Sequence, residues 1–196
     1  MRIYHSTILF LFFIGICSLP LSSPPALSIL NGTAQTNNIT GTAQTNNITG
    51  TAQTNNITGT AQTNNITGTA QTNEIMGTAQ PDNLKGTPKD DFIFGGAGFD
   101  NITGNEGNDE IDGGVGGDRL IGGSGNDLIF GGIGNDNISG GDGNDDLYGG
   151  PGADHLDGGK GADYFDCGTS SDTITGFNIS EGDISNSNCE NMAPNK

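Results

Sequence analysis

The sequence predicts an all-β solenoid, and three observations lead to that prediction. A nine-residue frame runs without insertion over residues 32–175, which makes sixteen repeats. Position eight of the frame is apolar in every repeat, and Gly opens fifteen of the sixteen. One apolar side chain per nine residues cannot fill a globular core, but it can pack on the same residue of a neighbouring coil.

Each repeat is expected to contain one short strand. Successive side chains of a strand point to opposite faces, so an apolar position eight faces inward while positions seven and nine face solvent. The Gly-rich hexamer before these three residues is then a turn. The inward residues are Ile39, Ile48, Ile57, Ile66, Ile75, Leu84, Ile93, Ile102, Ile111, Leu120, Ile129, Ile138, Leu147, Leu156, Phe165 and Ile174.

The charge balance limits the classes of partner. Asp and Glu number 23 against 6 Lys and Arg, which gives a formal net charge of −17. A compact chain with this charge repels itself unless cations are supplied. Binding to nucleic acid requires a basic face, and this composition excludes one.

The most regular repeats lie in residues 95–166, as in "GGAGFDNIT" from Gly95 and "GGSGNDLIF" from Gly122. Seven of these eight repeats keep every position of G-G-x-G-x-D-x-U-x, and the eighth has Asn105 as its second residue. This pattern resembles the RTX family of calcium-binding nonapeptide repeats. The resemblance implies a right-handed parallel β-roll with two repeats per coil, in which repeats n and n+2 stack.

The resemblance also implies calcium sites between stacked turns. Ca²⁺ prefers six to eight oxygen ligands. One turn would supply the carbonyls of positions two and four and its Asp, and the turn eighteen residues later the carbonyls of positions one and three and its Asp. One expected site comprises Gly96, Gly98, Asp100, Gly113, Val115 and Asp118. The next on that side comprises Gly114, Gly116, Asp118, Gly131, Ile133 and Asp136.

Eight full repeats then predict about six Ca²⁺ ions, with each interior Asp shared by two. Like carboxylates stacked one coil apart repel, so we expect metal binding and folding to be a single event. Without calcium, an acidic and Gly-rich chain is expected to be disordered. The expected carboxylate ligands are Asp100, Asp109, Asp118, Asp127, Asp136, Asp145, Asp154 and Asp163.

Residues 29–94 keep the frame but not the calcium motif. "GTAQTNNIT" begins at Gly32, Gly41, Gly50 and Gly59, with Thr at position two and Asn at position six. We expect these repeats to bind calcium poorly. Two interpretations remain open: a metal-free extension of the solenoid, stabilised by Asn ladders, or a polar low-complexity stalk.

The two ends of the chain carry their own signals. Residues 1–28 contain the apolar run "ILFLFFIGIC" after Arg2, which predicts a cleaved signal peptide, with an uncleaved anchor as the alternative. Cys167 and Cys189 form an even pair in an exported chain, which predicts a disulfide, with two free thiols as the alternative. Residues 95–175 are then the calcium-binding roll, and residues 176–196 a C-terminal cap and tail.

These features predict a secreted or cell-surface calcium-binding protein with a structural, matrix or adhesion role. No catalytic set is evident, because the two His are His5 in the leader and His155 at an outward position. We therefore expect neither an enzyme nor a small-molecule substrate. Two other functions remain open: a surface- or ice-binding array on outward Asn and Thr rows, and a folding module for another secreted protein. End-to-end self-association of open solenoid ends is a further expectation.

Overall fold

A computed structural model shows a parallel β-solenoid. It describes residues 27–32, 36–41, 45–50, 54–59, 63–68 and 72–194, with side chains described for residue 67 and over residues 74–191. No helix is present among these residues, and none is therefore long and apolar enough to cross a membrane. The first ten strands are β1 Leu27–Gly32, β2 Thr36–Gly41, β3 Thr45–Gly50, β4 Thr54–Gly59, β5 Thr63–Gly68, β6 Thr72–Thr78, β7 Asn83–Lys85, β8 Phe92–Ala97, β9 Asn101–Glu106 and β10 Glu110–Val115.

The strands alternate between two sheets. The remaining strands are β11 Arg119–Ser124, β12 Leu128–Ile133, β13 Asn137–Asp142, β14 Asp146–Tyr148, β15 His155–Lys160, β16 Tyr164–Asp166, β17 Thr173–Phe177, β18 Ile184–Ser185 and β19 Asn191–Pro194. Ten odd-numbered strands form one sheet and nine even-numbered strands the other, each in chain order. We call them the odd sheet and the even sheet.

Pairing between strands fixes two repeats per coil. Ile111 is the register partner of Ile93 on one side and of Ile129 on the other, so equivalent residues stack at intervals of eighteen. The same register joins β2 to β4 and β3 to β5, where identical nonapeptides pair. The predicted parallel solenoid is therefore confirmed.

The core is a single stack of position-eight side chains between the sheets. The twelve described members, from Ile75 to Ile174, are fully buried, while positions seven and nine are exposed or half-buried. The predicted alternation is confirmed for these repeats. The side chains of Ile39, Ile48, Ile57 and Ile66 lie outside the described residues, as do the outward Asn and Thr side chains of the same repeats except Thr67.

The C-terminal segment closes the stack. Cys167 and Cys189 form a disulfide, which is the pairing that the sequence predicts. The ring of Phe177 packs on Phe165, with centroids 5.8 Å apart. Strands β18 and β19 extend both sheets by one strand. Residues 1–26 of the predicted signal peptide, residues 1–28, lie outside the described part of the chain, and its last two residues begin β1.

Candidate calcium sites

The turns between strands stack as closely as the strands do. Gly114 has φ 97°, a conformation that side chains disfavour, and a Cβ there would collide with the carbonyl oxygen of Gly96 one coil earlier. Asn105 replaces Gly at the same position of its repeat with φ 92°, and its Nδ2 donates to Gly86 O at 2.9 Å. Asn tolerates this conformation better than most residues, so the departure from the motif leaves the turn intact.

The position-six aspartates form a buried ladder along each edge of the solenoid. From Asp82 to Asp154, each backbone N–H donates to Oδ1 of the Asp one coil later, as in Asp100 to Asp118 and Asp118 to Asp136, both 2.7 Å. Every Asp in the ladder is at most 4% exposed. These bonds fix the orientation of each carboxylate and direct its second oxygen into the turn.

From Asp100 to Asp172, that second oxygen has no hydrogen-bond partner among the described residues. The buried, unpartnered Oδ2 atoms belong to Asp100, Asp109, Asp118, Asp127, Asp136, Asp145, Asp154, Asp163 and Asp172. Buried polar atoms are almost always satisfied in folded proteins, so an unbroken series of exceptions indicates a missing ligand.

A backbone carbonyl lies beside the unpartnered oxygen. A Cβ on Gly95 would lie 2.5 Å from Gly113 O and 2.7 Å from Asp100 Oδ2. A Cβ on Gly113, one coil later, would lie 2.6 Å from Gly131 O and 2.8 Å from Asp118 Oδ2. Two acceptor oxygens directed at one small space fit a hard cation such as Ca²⁺.

The structure brings the residues of both expected sites together. Val115 O accepts from the N–H of Gly98, and Ile133 O from that of Gly116, both at 2.8 Å. A carbonyl has two lone pairs, so these bonds leave one acceptor position on each. A Cβ on Gly116 would also collide with Gly98 O. Their role as ligands remains a prediction.

Side chains alone do not define these sites. Over the described residues, His, Cys, Asp and Glu nowhere gather in groups of three or more that could hold a metal ion. Each candidate site has only two carboxylates, because its other oxygens come from the backbone. A cluster of acidic side chains is therefore not the feature that marks such a site.

Burial raises the pKa of the ladder carboxylates. It raises the pKa of Asp109 to about 8, against a backbone hydrogen bond with Asp91 that lowers it, and nearby carboxylates add to the rise. For the same leading reason, the pKa values of Asp118 and Asp145 rise to about 7. Asp100, Asp154 and Asp163 rise to about 6, and Asp127 and Asp136 are also raised. Burial therefore raises the pH at which the ladder carboxylates lose their protons.

Two turns before Gly95 satisfy their aspartates differently. Oδ2 of Asp82 accepts from the N–H and the Oγ1 of Thr78, at 2.7 and 2.8 Å. Oδ2 of Asp91 accepts from the same groups of Thr87, at 2.5 and 2.9 Å. Neither Thr has a positive φ, unlike the Gly at this position in later repeats. A Thr at position two thus supplies two donors where the later turns leave an oxygen without one.

Sequence reasoning missed one member of the ladder. Asp183 in the C-terminal segment is 4% exposed, and its Oδ1 accepts from the N–H of Asp163 at 3.0 Å. The separation is twenty residues instead of eighteen, so the nine-residue frame does not include it. The adjoining Gly182, with φ 108°, and the apolar Ile184 after it are the signals that could have located it.

Stacked Gly-rich turns along a parallel β-solenoid, each with a buried carboxylate, define a nonapeptide-repeat roll. The family model of the RTX calcium-binding nonapeptide repeat, which contains four copies, matches residues 31–66, 49–84, 85–120, 112–147 and 139–174. These matches span more than half of the chain, and the chain belongs to this family. No curated protein and no solved structure matches it.

Proposed function

We propose that this chain is an exported protein whose roll folds when it binds extracellular calcium. The observation that carries the proposal is the consecutive series of buried Asp carboxylates with one unpartnered oxygen, of which those from Asp100 to Asp154 each have a backbone carbonyl of the next coil beside that oxygen. Ca²⁺ supplies the positive charge that lets these oxygens approach. Affinities of about 10⁻⁴–10⁻³ M suit extracellular calcium modules.

We place seven ions in the roll, one more than the eight full repeats predict. The additional site lies between Asp154 and Asp172, where Cys167 takes the first position of the turn. A Cβ on Gly149 would lie 2.6 Å from both Cys167 O and Asp154 Oδ2, the arrangement seen at the other sites. The remaining six use the consecutive Asp pairs from Asp100 to Asp163 at intervals of eighteen.

The site that Asp163 would form with Asp183 is not included. A Cβ on Gly158 would contact Asp163 Oδ2 but would lie 2.7 Å from Cζ of Phe165, with no backbone carbonyl among its nearest atoms. Oδ2 of Asp183 already accepts from the N–H of Asn178 at 2.7 Å. The cap therefore ends the series with an aromatic ring and a hydrogen bond in place of metal.

Calcium dependence begins near Gly95. The Thr78 and Thr87 turns hydrogen-bond their own carboxylates, which supports residues 29–94 as a calcium-independent extension of the solenoid. Residues 95–175 form the calcium-dependent roll and residues 176–196 its cap. The in-register pairing of β1 to β5 favours the extension over a stalk.

The role we propose is structural, at the cell surface or in an extracellular matrix, without catalysis. The leader and the Cys167–Cys189 disulfide support export, because disulfides persist in oxidising compartments. Regular backbone pairing of Asn38 with Asn56 and Thr40 with Thr58 favours a surface- or ice-binding array as the second candidate. Thermal hysteresis of the purified chain tests that candidate, and its absence removes it.

Equilibrium dialysis followed by elemental analysis tests the calcium proposal. At about 5 mM Ca²⁺, above the family's expected affinity range, we expect about seven ions per chain. Magnesium at the same concentration should bind far less, because it favours octahedral sites with bound water. Binding of fewer than two calcium ions would contradict the assignment of the ladder as metal sites.

A further inference from the structure

The two outer faces of the roll have different chemistry. At positions seven and nine, the even sheet presents the apolar side chains of Phe92, Phe94, Leu128, Phe130, Tyr148 and Tyr164 together with the carboxylates of Glu110, Asp112, Asp146 and Asp166, and we call this surface the even face. At the same positions over residues 101–175, the odd sheet carries Asn, Thr, Ser, Arg, His and Asp, with Ile121 as its one apolar residue. The asymmetry has no role in the calcium turns or in the core.

Further exposed apolar residues extend the even face. Val115 and Ile133, 50% and 58% exposed, are register partners at the ends of β10 and β12. Ile184, 63% exposed, continues the row of Tyr164 on β18. Phe99, 72% exposed, lies in the turn after β8. A concentration of exposed apolar residues on one surface is characteristic of an interaction site.

Acidic residues alternate with the apolar ones along this face. Reading across the coils at position seven, the row is Phe92, Glu110, Leu128, Asp146 and Tyr164, joined by direct register pairs. Neighbouring coils lie about 4.8 Å apart. Apolar groups and carboxylates therefore succeed each other at nearly the 5.4 Å pitch of an α-helix.

Basic side chains lie elsewhere. Among the described residues, Lys85, Arg119 and Lys160 lie on strands of the odd sheet, while Lys89 lies in a turn that leads from the odd sheet to the even sheet. The even face thus offers carboxylates and apolar groups without a cation of its own. Its complement is a basic and apolar surface.

Other occupants fit less well. Two copies joined through their even faces would bring carboxylates together, and an anionic membrane would repel them. Stacking of sugar rings requires open aromatic faces, whereas Phe130 and Tyr148 stack on each other with centroids 4.9 Å apart and an interplanar angle of 21°.

We propose that the even face docks a basic amphipathic helix of a partner protein, laid along the long axis of the solenoid. Its apolar side chains would pack on Phe92, Leu128 and Tyr164, and its Lys or Arg side chains would pair with Glu110 and Asp146. Amphipathic helices commonly bind apolar surfaces through one residue per turn.

Calorimetric titration in saturating calcium tests this proposal, with a synthetic helix of about 21 residues as the probe. The probe has Leu and Lys alternating along one stripe at intervals of one helical turn. One control peptide replaces Lys by Glu and another replaces Leu by Ser. The full chain is used, and circular dichroism confirms that each variant is folded, so a failure of calcium-dependent folding is distinguishable from a failure of docking.

Glu110→Gln combined with Asp146→Asn should weaken binding of the Leu/Lys peptide by about tenfold or more. The control Glu106→Gln with Glu181→Gln removes two exposed carboxylates elsewhere and should change the Kd by less than about twofold. Leu128→Thr with Phe130→Thr should also weaken binding, and Ile121→Thr on the odd sheet should not.

Three results would overturn the proposal. Equal weakening by both carboxylate pairs would show attraction to net charge alone. Binding of the Lys-to-Glu peptide as tightly as the Leu/Lys peptide would remove the charge argument. A dimer of the parent chain that Leu128→Thr with Phe130→Thr dissociates would show that a second copy covers the face.

Discussion

The backbone N–H of Asp100 donates to Oδ1 of Asp118 at 2.7 Å, across one coil of the solenoid. Oδ2 of Asp118 is buried and has no hydrogen-bond partner among the described residues. One oxygen therefore maintains the stacking of the coils while the other is left for a cation. In the proposed calcium sites, this division would let one residue per repeat serve both the fold and the metal.

Asp118→Asn should remove the charge from two adjacent sites while keeping an oxygen that can accept from Asp100. We expect a loss of about two bound ions and a higher calcium midpoint for folding. Equilibrium dialysis at millimolar calcium measures the first effect. Asp146→Asn, at an exposed outward position, is the matched control, and the same stoichiometry in both variants would contradict the role of Asp118.

Thr87→Gly with Lys89→Gly should create a calcium site. The change restores the Gly positions of the motif and removes the hydroxyl that donates to Asp91. A Cβ on Gly86 would already lie 2.6 Å from Gly104 O and 2.7 Å from Asp91 Oδ2. These distances are close to those for a Cβ on Gly95 and on Gly113 at the candidate sites. We expect about one additional ion per chain. Thr87→Ser with Lys89→Gly retains the hydroxyl and should gain none; a gain in this control would show that the Thr hydroxyl does not exclude metal.

Loss of the disulfide should destabilise the C-terminal end. Cys167 and Cys189 are 22 residues apart, and closing a loop of that length stabilises a fold by about 3 kcal/mol in the chain-entropy account. We expect Cys167→Ser with Cys189→Ser to lower the free energy of unfolding by roughly that amount in saturating calcium, measured by urea denaturation. Addition of reductant should reproduce the change in the parent and leave the variant unaffected.

Acid should partly replace calcium. An Asp in the unfolded chain has a pKa near 4, whereas burial raises the pKa values of Asp100, Asp109 and Asp118 to about 6, 8 and 7. The folded, metal-free chain therefore binds more protons, and its stability falls as pH rises from about 4 through 8. In EDTA, circular dichroism should show more β structure at pH 5 than at pH 8. An equal or larger β signal at pH 8 would contradict the raised pKa values.

Much of the fold follows from the sequence because each repeat has only one inward residue. The residues at position eight are the buried core residues, and the eighteen-residue register follows from two repeats per coil. The nine-residue frame does not predict Asp183, because the segment between Asp163 and Asp183 is two residues longer than a coil. Only the three-dimensional structure shows that Asp183 stacks on Asp163. The sequence also does not predict that the N–H and Oγ1 groups of Thr78 and Thr87 donate to Asp82 and Asp91. The loss of Gly at position two indicates a changed turn, but it does not show which group satisfies the carboxylate in place of metal.

The asymmetry between the outer faces could be found in the sequence once the frame is known. Outward residues of alternate repeats must be read separately, since repeats n and n+1 lie on different sheets. Phe92, Leu128 and Tyr164 then fall in one row and Asn101, Arg119 and Asn137 in the other. Reading all outward positions together averages the two rows and hides the contrast.

A calcium titration followed by far-UV circular dichroism, with magnesium as the control, tests the central claim most directly. At pH 8, we expect a cooperative gain of β signal at about 10⁻⁴–10⁻³ M Ca²⁺ and none with magnesium. A β signal from residues 29–94 should already be present before calcium is added. A chain whose spectrum is unchanged by calcium would contradict the account, because the aspartate ladder would then not be a set of metal sites whose occupation folds the roll.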